Sequence, residues 1–429
     1  VTRTVEHHHV APPPESIPTT VVTSWKAPIA FGIFTLAALA LAVFAPRPGE
    51  TTYRLSLPND VIQLPEVTVS VMPTLWTVVV LLAASTAYSA WLVSSKRRVP
   101  LWLIVVFAIL FMFGFLTWAG SGASLPMIGL LFGSLSLAVP LIYGSLAGVI
   151  GERAGVVNIA IEGQLLAGAF TAAVVASVTG QPLLGLVAAM VAGMLVGMVL
   201  AAFSIKYFAD QVIVGVVLNV LVIGLTSFFF SQVLAPNAAT LNTPPRFDRL
   251  PIPVLSEIPI IGPVLFRQTL VVYLMYIAVA LVYFGLFHTR WGLRVRAVGE
   301  HPQAADTVGI KVNRTRFWNV ALAGSIAGLG GTFFTIGSGI AFNQEMTAGA
   351  GFIALAAVIF GQWDPIKATL AALLFGFASN LQNTLAVIGS PVPSEFMLML
   401  PYVVTIFAVA GFVGRSRPPA ASGKPYIKS

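Results

Sequence analysis

The chain has 429 residues, 57% of them hydrophobic and 9% charged, with 23 Lys and Arg against 15 Asp and Glu and no cysteine. Its mean hydropathy of +0.91 and its apolar runs, longer than the roughly 18 residues that cross a bilayer, predict an all-α polytopic membrane bundle. The missing cysteine excludes disulfides, thiol catalysis and Cys-type zinc sites. The net charge of +8 would suit nucleic acid, but the basic residues fall in short loops and tails beside apolar runs, as topology demands. Membrane lipid, and no nucleic acid, is therefore the expected surroundings.

Residues 1–25 are polar and proline-dotted, and are expected to be a disordered tail. His7, His8 and His9 make a poor metal site in such a tail, so no metal is expected. From there, apolar runs predict spans at Ala27–Ala45, Pro73–Val93, Leu101–Ala119, Ile128–Ile150, Val157–Val178, Leu183–Phe203, Val212–Val233, Thr269–His288, Phe317–Gly337, Met346–Phe360, Ile366–Ile388 and Phe396–Val413. That is about 12 crossings, or 10 to 12, because Met346–Phe360 is short enough to be half of a re-entrant pair with the run after it. With 12 crossings, 18 of the 23 Lys and Arg lie on the side of the termini, which places both termini in the cytoplasm.

Two outer segments are long. Pro46–Met72 contains Val67, Val69 and Val71 at strand alternation, and Pro236–Gln268 holds seven prolines. A connection of this length in a compact membrane protein generally has a task, such as receiving a partner or covering an entrance.

On the cytoplasmic side, the loop 289–316 carries Arg290, Arg294, Arg296, Lys311, Arg314 and Arg316. Its middle predicts a short helix that starts on Pro302, where a missing N–H costs nothing, and stops at Gly309, which suits a left-handed residue. Two turns of helix do not hold themselves together in water. The segment is either a docking element for a soluble partner or an ordinary positive-inside loop.

Polar residues also fall inside apolar segments. Asn158 and Glu162 are four apart on one helix face, Asn219 sits in the seventh predicted span, and Asn380 and Asn383 share a face of the eleventh. An intramembrane carboxylate costs about 2.5–3.5 kcal/mol unless it meets a partner or water. These residues therefore either line a solute path or knit helices together. Neutral amides without a charged cluster suit a neutral hydroxylated or heterocyclic solute better than an ion. Gly193 with Gly197 and Gly324 with Gly328 give the four-residue spacing that lets helices approach closely. A faint echo links Gly155–Gly163 to Gly351–Gly361, two glycine-bounded apolar stretches. No P-loop, H-E-x-x-H or hydrolytic Ser, His and Asp set occurs, so the chain is expected to be no enzyme and to bind no ATP of its own.

GERAGVVNIAIEGQ (Gly151–Gln164), QVIVGVVLNVLVIGLTSF (Gln211–Phe228), AVGEHPQAADTVGI (Ala297–Ile310) and TAGAGFIALAAVIFGQWDP (Thr347–Pro365) occur in this order. Together they resemble the inner-membrane permease subunits of ATP-binding-cassette importers for simple sugars and nucleosides, a branch similar to branched-chain amino-acid and ribose permeases. The likeness covers roughly 125–413 and is greatest to nucleoside-type permeases that work beside a sister permease. It implies a permease core at 125–414, an extra membrane region of about three spans at 26–124 and a basic cytoplasmic tail at 415–429. Gln303, Ala304 and Ala305 followed by Gly309 resemble the coupling motif that docks into the ATPase, with Gln303 where that motif often has Glu; Pro302 and Asp306 complete the segment.

The resemblance further implies a plasma-membrane importer of nucleosides, with simple sugars as the alternative. Its partners would be an ATPase subunit carrying the Mg-ATP, a second permease and an extracytoplasmic binding lipoprotein. Asn158, Glu162, Asn219, Asn380 and Asn383 are the candidate solute path. An ion-coupled transporter working alone is the rival mechanism.

Overall fold

The computed structural model describes residues 24–390 and 417–427, with a few positions between 392 and 399. The leading tail, including His7–His9, and nearly all of the predicted span Phe396–Val413 lie outside the described residues. Among the described residues, ten helices are long and apolar enough to cross a membrane.

Cα proximity divides the chain into two units, Val1–Gly49 with Ser70–Trp118, and Glu50–Val69 with Ala119–Ser429. The first unit contains α1 (Lys26–Phe44), α2 (Val71–Ser94) and α3 (Leu101–Ala119). These are apolar on nearly every face, as lipid-facing helices must be. Their shared core gathers Phe31, Val78, Leu82, Leu92 and Phe107. Within it, the Phe31 and Phe107 rings stack at 3.9 Å, and the Trp118 indole donates to the Ala45 carbonyl at 2.8 Å.

In the second unit, β1 (Glu50–Arg54) lies between β2 (Val67–Ser70) and β3 (Ser124–Pro126) in a small sheet. The alternation of Val67 and Val69 does form a strand, and Val71 opens α2. The helices follow as α4 (Met127–Arg153), α5 (Ile161–Thr179), α6 (Pro182–Ala201) and α7 (Gln211–Phe229), the last two each extended by a π turn. The proline-rich outer segment folds into α8 (Ala238–Leu241), β4 (Arg249–Pro251), α9 (Ile261–Leu265) and β5 (Arg267–Thr269), with β4 and β5 antiparallel. Arg267 of this segment pairs with Asp60 of the earlier outer segment at 2.7 Å.

The chain continues through α10 (Leu270–His288), α11 (Arg290–Glu300), α12 (Pro302–Thr307), α13 (Val312–Gly331), α14 (Ala350–Phe360) and α15 (Pro365–Val387). Side-chain caps start α7 and α15: Asp210 accepts from Val212 N and Ile213 N, and Asp364 from Ile366 N and Lys367 N.

The predicted crossing Met346–Phe360 is instead the 11-residue α14, about 16 Å long and so about half a bilayer core. The residues before it are turned, with Glu345 and Ala348 at positive φ, so helix cannot extend backwards. In the core, α5, α6 and α13 meet backbone to backbone. A methyl group added at Gly193 would collide with the Gly324 carbonyl, and one at Gly328 with the Ala189 carbonyl. The four-residue glycine spacing seen in the sequence is the surface on which these helices touch.

Candidate functional site

The basic loop folds as two helices joined at His301. In α11, Thr289 caps the start by accepting from Gly292 N at 3.2 Å, and Gly292, Val295, Val298 and Gly299 face inward. The six-residue α12 has Pro302 in its first turn and buries Pro302 and Ala305, while Gln303, Ala304 and Thr307 are exposed. Gly309 follows at φ +85° with open space where a side chain would stand. Substitution there meets no clash, only the cost of a left-handed backbone, about 1–2 kcal/mol. Beside this turn is a cavity of about 1030 Å³ lined by Arg290, Arg294, Lys311, Arg314, Trp291 and Trp318 among others, with no acidic residue in its wall.

Deeper in the bundle, the two echoing stretches meet. After α4 ends, the chain runs without helix until α5 begins at Ile161, and α14 begins against that same point. A methyl group at Gly351 would collide with the Glu162 backbone, so only glycine lets the two starts touch. Glu162 Oε1 accepts from Thr347 Oγ1 at 2.6 Å and Gly349 N at 2.9 Å, and Oε2 accepts from Gly351 N at 2.6 Å. The carboxylate thus caps the N-terminus of α14, where amide dipoles favour negative charge.

Asn219 reaches the same place from α7, accepting from Gly163 N at 2.8 Å and donating to Ile159 O at 2.9 Å. Asn158 and Gln164 bond each other through both ends of their amides, at 3.0 and 3.2 Å. The expected shared helix face does not form, because Asn158 lies in the non-helical stretch before α5, yet the fold still brings Asn158, Glu162 and Asn219 together around the start of α5. Asn380 lies elsewhere, donating from α15 to the Leu130 carbonyl of α4 at 2.7 Å, and Asn383 is exposed.

Sequence periodicity does not single out the ends of α4 and α13 remote from the basic loop. There a cavity of about 580 Å³ is walled by Phe132, Phe247 and Phe333 and by Arg246, Asp248, Arg249, Gln268, Thr269 and Ser338. The Arg249 guanidinium sits over the Phe132 ring, 4.6 Å from its centre, and the buried Thr269 Oγ1 has no partner among the described residues. Aromatic faces beside unused hydrogen-bonding groups are what a flat, polar-edged solute needs. The signal was weak in sequence because these residues come from four separate segments.

A profile of the family described as "Branched-chain amino acid transport system / permease component" matches residues 130–409. The guanosine ABC transporter permease protein NupQ of Bacillus subtilis is 43% identical over 304 residues, covering 69% of this chain and 95% of its own length. The nucleoside ABC transporter permease protein NupC of Lactococcus lactis is 39% identical over 309 residues, again 69% and 95%. A putative glucose ABC transporter permease protein, TsgC13 of Haloferax volcanii, is 36% identical over 258 residues, 59% of this chain and 77% of its own. A second guanosine permease protein of B. subtilis, NupP, also matches. No solved structure matches the chain. With the family profile spanning most of the chain and two relatives aligned over nearly their whole length, this protein belongs to the branched-chain amino acid transport system permease family.

Proposed function

We propose that this chain is the membrane-spanning permease subunit of an ATP-driven importer of nucleosides. The observation that carries the substrate class is the 43% and 39% identity to guanosine and nucleoside permeases over 95% of their lengths. The glucose relative is less similar and aligned over less of its length, so sugar is the weaker alternative. The outer cavity supports the same reading: phenylalanine rings at Phe132, Phe247 and Phe333 suit a heterocyclic base, and Arg246 and Asp248 suit a ribose and the base edges.

In this reading an extracytoplasmic binding lipoprotein delivers solute to the outer cavity, and a second permease chain supplies the other wall of the path. The family likeness of both NupQ and NupP to this chain supports such pairing. An ATPase subunit, which holds the Mg-ATP, docks on Gln303, Ala304, Thr307 and the turn at Gly309. Both termini lie in the cytoplasm and the assembly sits in a bacterial plasma membrane. The hydrogen bonds of Glu162, Asn158, Asn219 and Asn380 support the knitting alternative for these four residues rather than direct contact with solute.

The test is uptake of labelled guanosine, uridine and ribose by cells expressing the chain with and without its ATPase, sister permease and binding protein. Nucleoside uptake that needs the ATPase and survives an ionophore is expected. Uptake that persists without the ATPase and collapses with the ionophore would replace this reading with an ion-coupled carrier. Gly309→Val should weaken recovery of the ATPase with the permease and lower uptake together, because α12 would end differently; unchanged values for both would remove the docking assignment.

A further inference from the structure

The segment 417–427 is not loose beneath the membrane bundle. Its Pro419, Ala421 and Tyr426 are buried. Ala420 N donates to Glu300 Oε2 at 3.1 Å, and Ala421 N to the Gly299 carbonyl at 2.9 Å, which binds the segment to the end of α11. A turn follows, closed by Ser422 N to Pro419 O at 2.9 Å and Lys424 N to Ala421 O at 3.2 Å. Gly423 takes φ +77° in that turn and lies beside Val157, in the non-helical stretch ahead of α5.

Beyond the turn, Arg316 of α13 donates from Nη1 to the Lys424 carbonyl at 2.8 Å. Tyr426 then enters an apolar cluster with Val298 of α11, Ala305 of α12 and Val312 of α13. Its phenol is bonded to Asp306; burial, and then that carboxylate, hold it above its ordinary range, so it stays protonated.

The placement has a mechanical meaning. Only Pro302 and Ala305 of α12 are buried, and Tyr426 covers one of them while bonding Asp306 beside it. The same segment grips Arg316, whose guanidinium lies against Gly155: a methyl group there would stand 2.7 Å from Nη2. One short peptide therefore touches α11, α12, α13 and the turn that leads into the Glu162 junction.

We infer that residues 418–427 are a positioning strap that holds α12 in register with α13 and the turn before α5, with Tyr426 as its anchor, and so sets how much solute moves per ATP hydrolysed. This rests on the reading of the chain as an ATP-driven permease. A strap that only stabilised the fold would lower uptake and hydrolysis in proportion. A strap that transmits movement lowers uptake relative to hydrolysis.

The experiment uses the complete transporter in proteoliposomes, with ATP hydrolysis and nucleoside uptake measured in the same preparation. Tyr426→Ala should leave hydrolysis near the wild-type rate while uptake per ATP falls by about fivefold or more, the lower end of ordinary coupling between sites. Tyr426→Phe, which keeps the ring and loses only the bond to Asp306, should recover most of that ratio. As a second route that does not depend on a weakened fold, Ala305→Cys with Tyr426→Cys can be bridged by oxidation or a short dithiol-reactive linker, since the chain has no cysteine of its own. The bridged form should couple better than the same sample reduced. An unchanged uptake-to-hydrolysis ratio in Tyr426→Ala, or an equal ratio in the bridged and reduced pair, overturns the inference. A wild-type complex with no ATP-dependent uptake would instead remove the functional reading on which it rests.

Discussion

Among the described residues, the buried side chains of Glu162 and Arg316 are held in opposite ways. Glu162 is 4% exposed and accepts three hydrogen bonds, two of them from the amide end of α14. Arg316 is 2% exposed and, among the described residues, has a single carbonyl partner, with none for its Nε and Nη2. A buried charge that is fully matched is part of the frame, because removing it strands every group that faced it. A buried charge held by one carbonyl leaves desolvated donors unmatched, so replacing it by an apolar chain strands few partners. The junction of α5 and α14 is thus matched group for group, whereas the grip of the strap on α13 rests on one hydrogen bond and on packing.

Substitutions can break that contrast. Glu162→Leu is expected to have the largest effect, about 3–5 kcal/mol of lost stability, since two backbone amides and the Thr347 hydroxyl would be left unpaired in low dielectric. It would be read as a collapse in folded yield and melting temperature in detergent. Glu162→Gln keeps the volume but turns one oxygen into a donor facing amide donors, so a loss of about 1–3 kcal/mol is expected by the same melting assay.

Arg316→Met should come next and be small. Replacing a poorly paired buried charge by an apolar chain of similar length is expected to change stability by less than about 1 kcal/mol, in either direction. If its melting point fell as far as that of Glu162→Leu, the distinction between the two sites would be lost. Smallest of all, Asn383→Ala, at an exposed position, should stay within about 0.5 kcal/mol of wild type and leave uptake kinetics as they were.

Much of this was legible in sequence where the signal is local. Apolar runs marked the long helices, Pro302 and Gly309 marked the ends of α12 to within two residues, and the paired glycines marked the surfaces of α6 and α13. What sequence could not supply was partnership. Glu162 is an isolated acid in an apolar run until the fold brings Thr347 and Gly349 to it from 185 and 187 positions away. The shortness of α14 was partly legible: polar Asn343, Gln344 and Glu345 limit the apolar run from Met346, and the turned residues before Ala350 shorten the helix further. The strap was invisible for a related reason. Pro419, Ala421 and Tyr426 have no periodicity, and their meaning comes from Gly299, Ala305 and Arg316, which lie more than a hundred residues earlier.

The glycine seam between α6 and α13 has one more result. Side chains between helices act as springs, each able to change rotamer and absorb part of a displacement; where backbone rests on backbone there is nothing to compress. The helix α13, about 30 Å from Val312 to Gly331 at 1.5 Å per residue, therefore behaves as a stiff rod mounted on a rigid slab. Its near end carries Arg316, and the turn after its far end contributes Phe333 to the outer cavity. A tilt imposed at the Arg316 end is therefore expected to be shared with α6 rather than absorbed between the two helices.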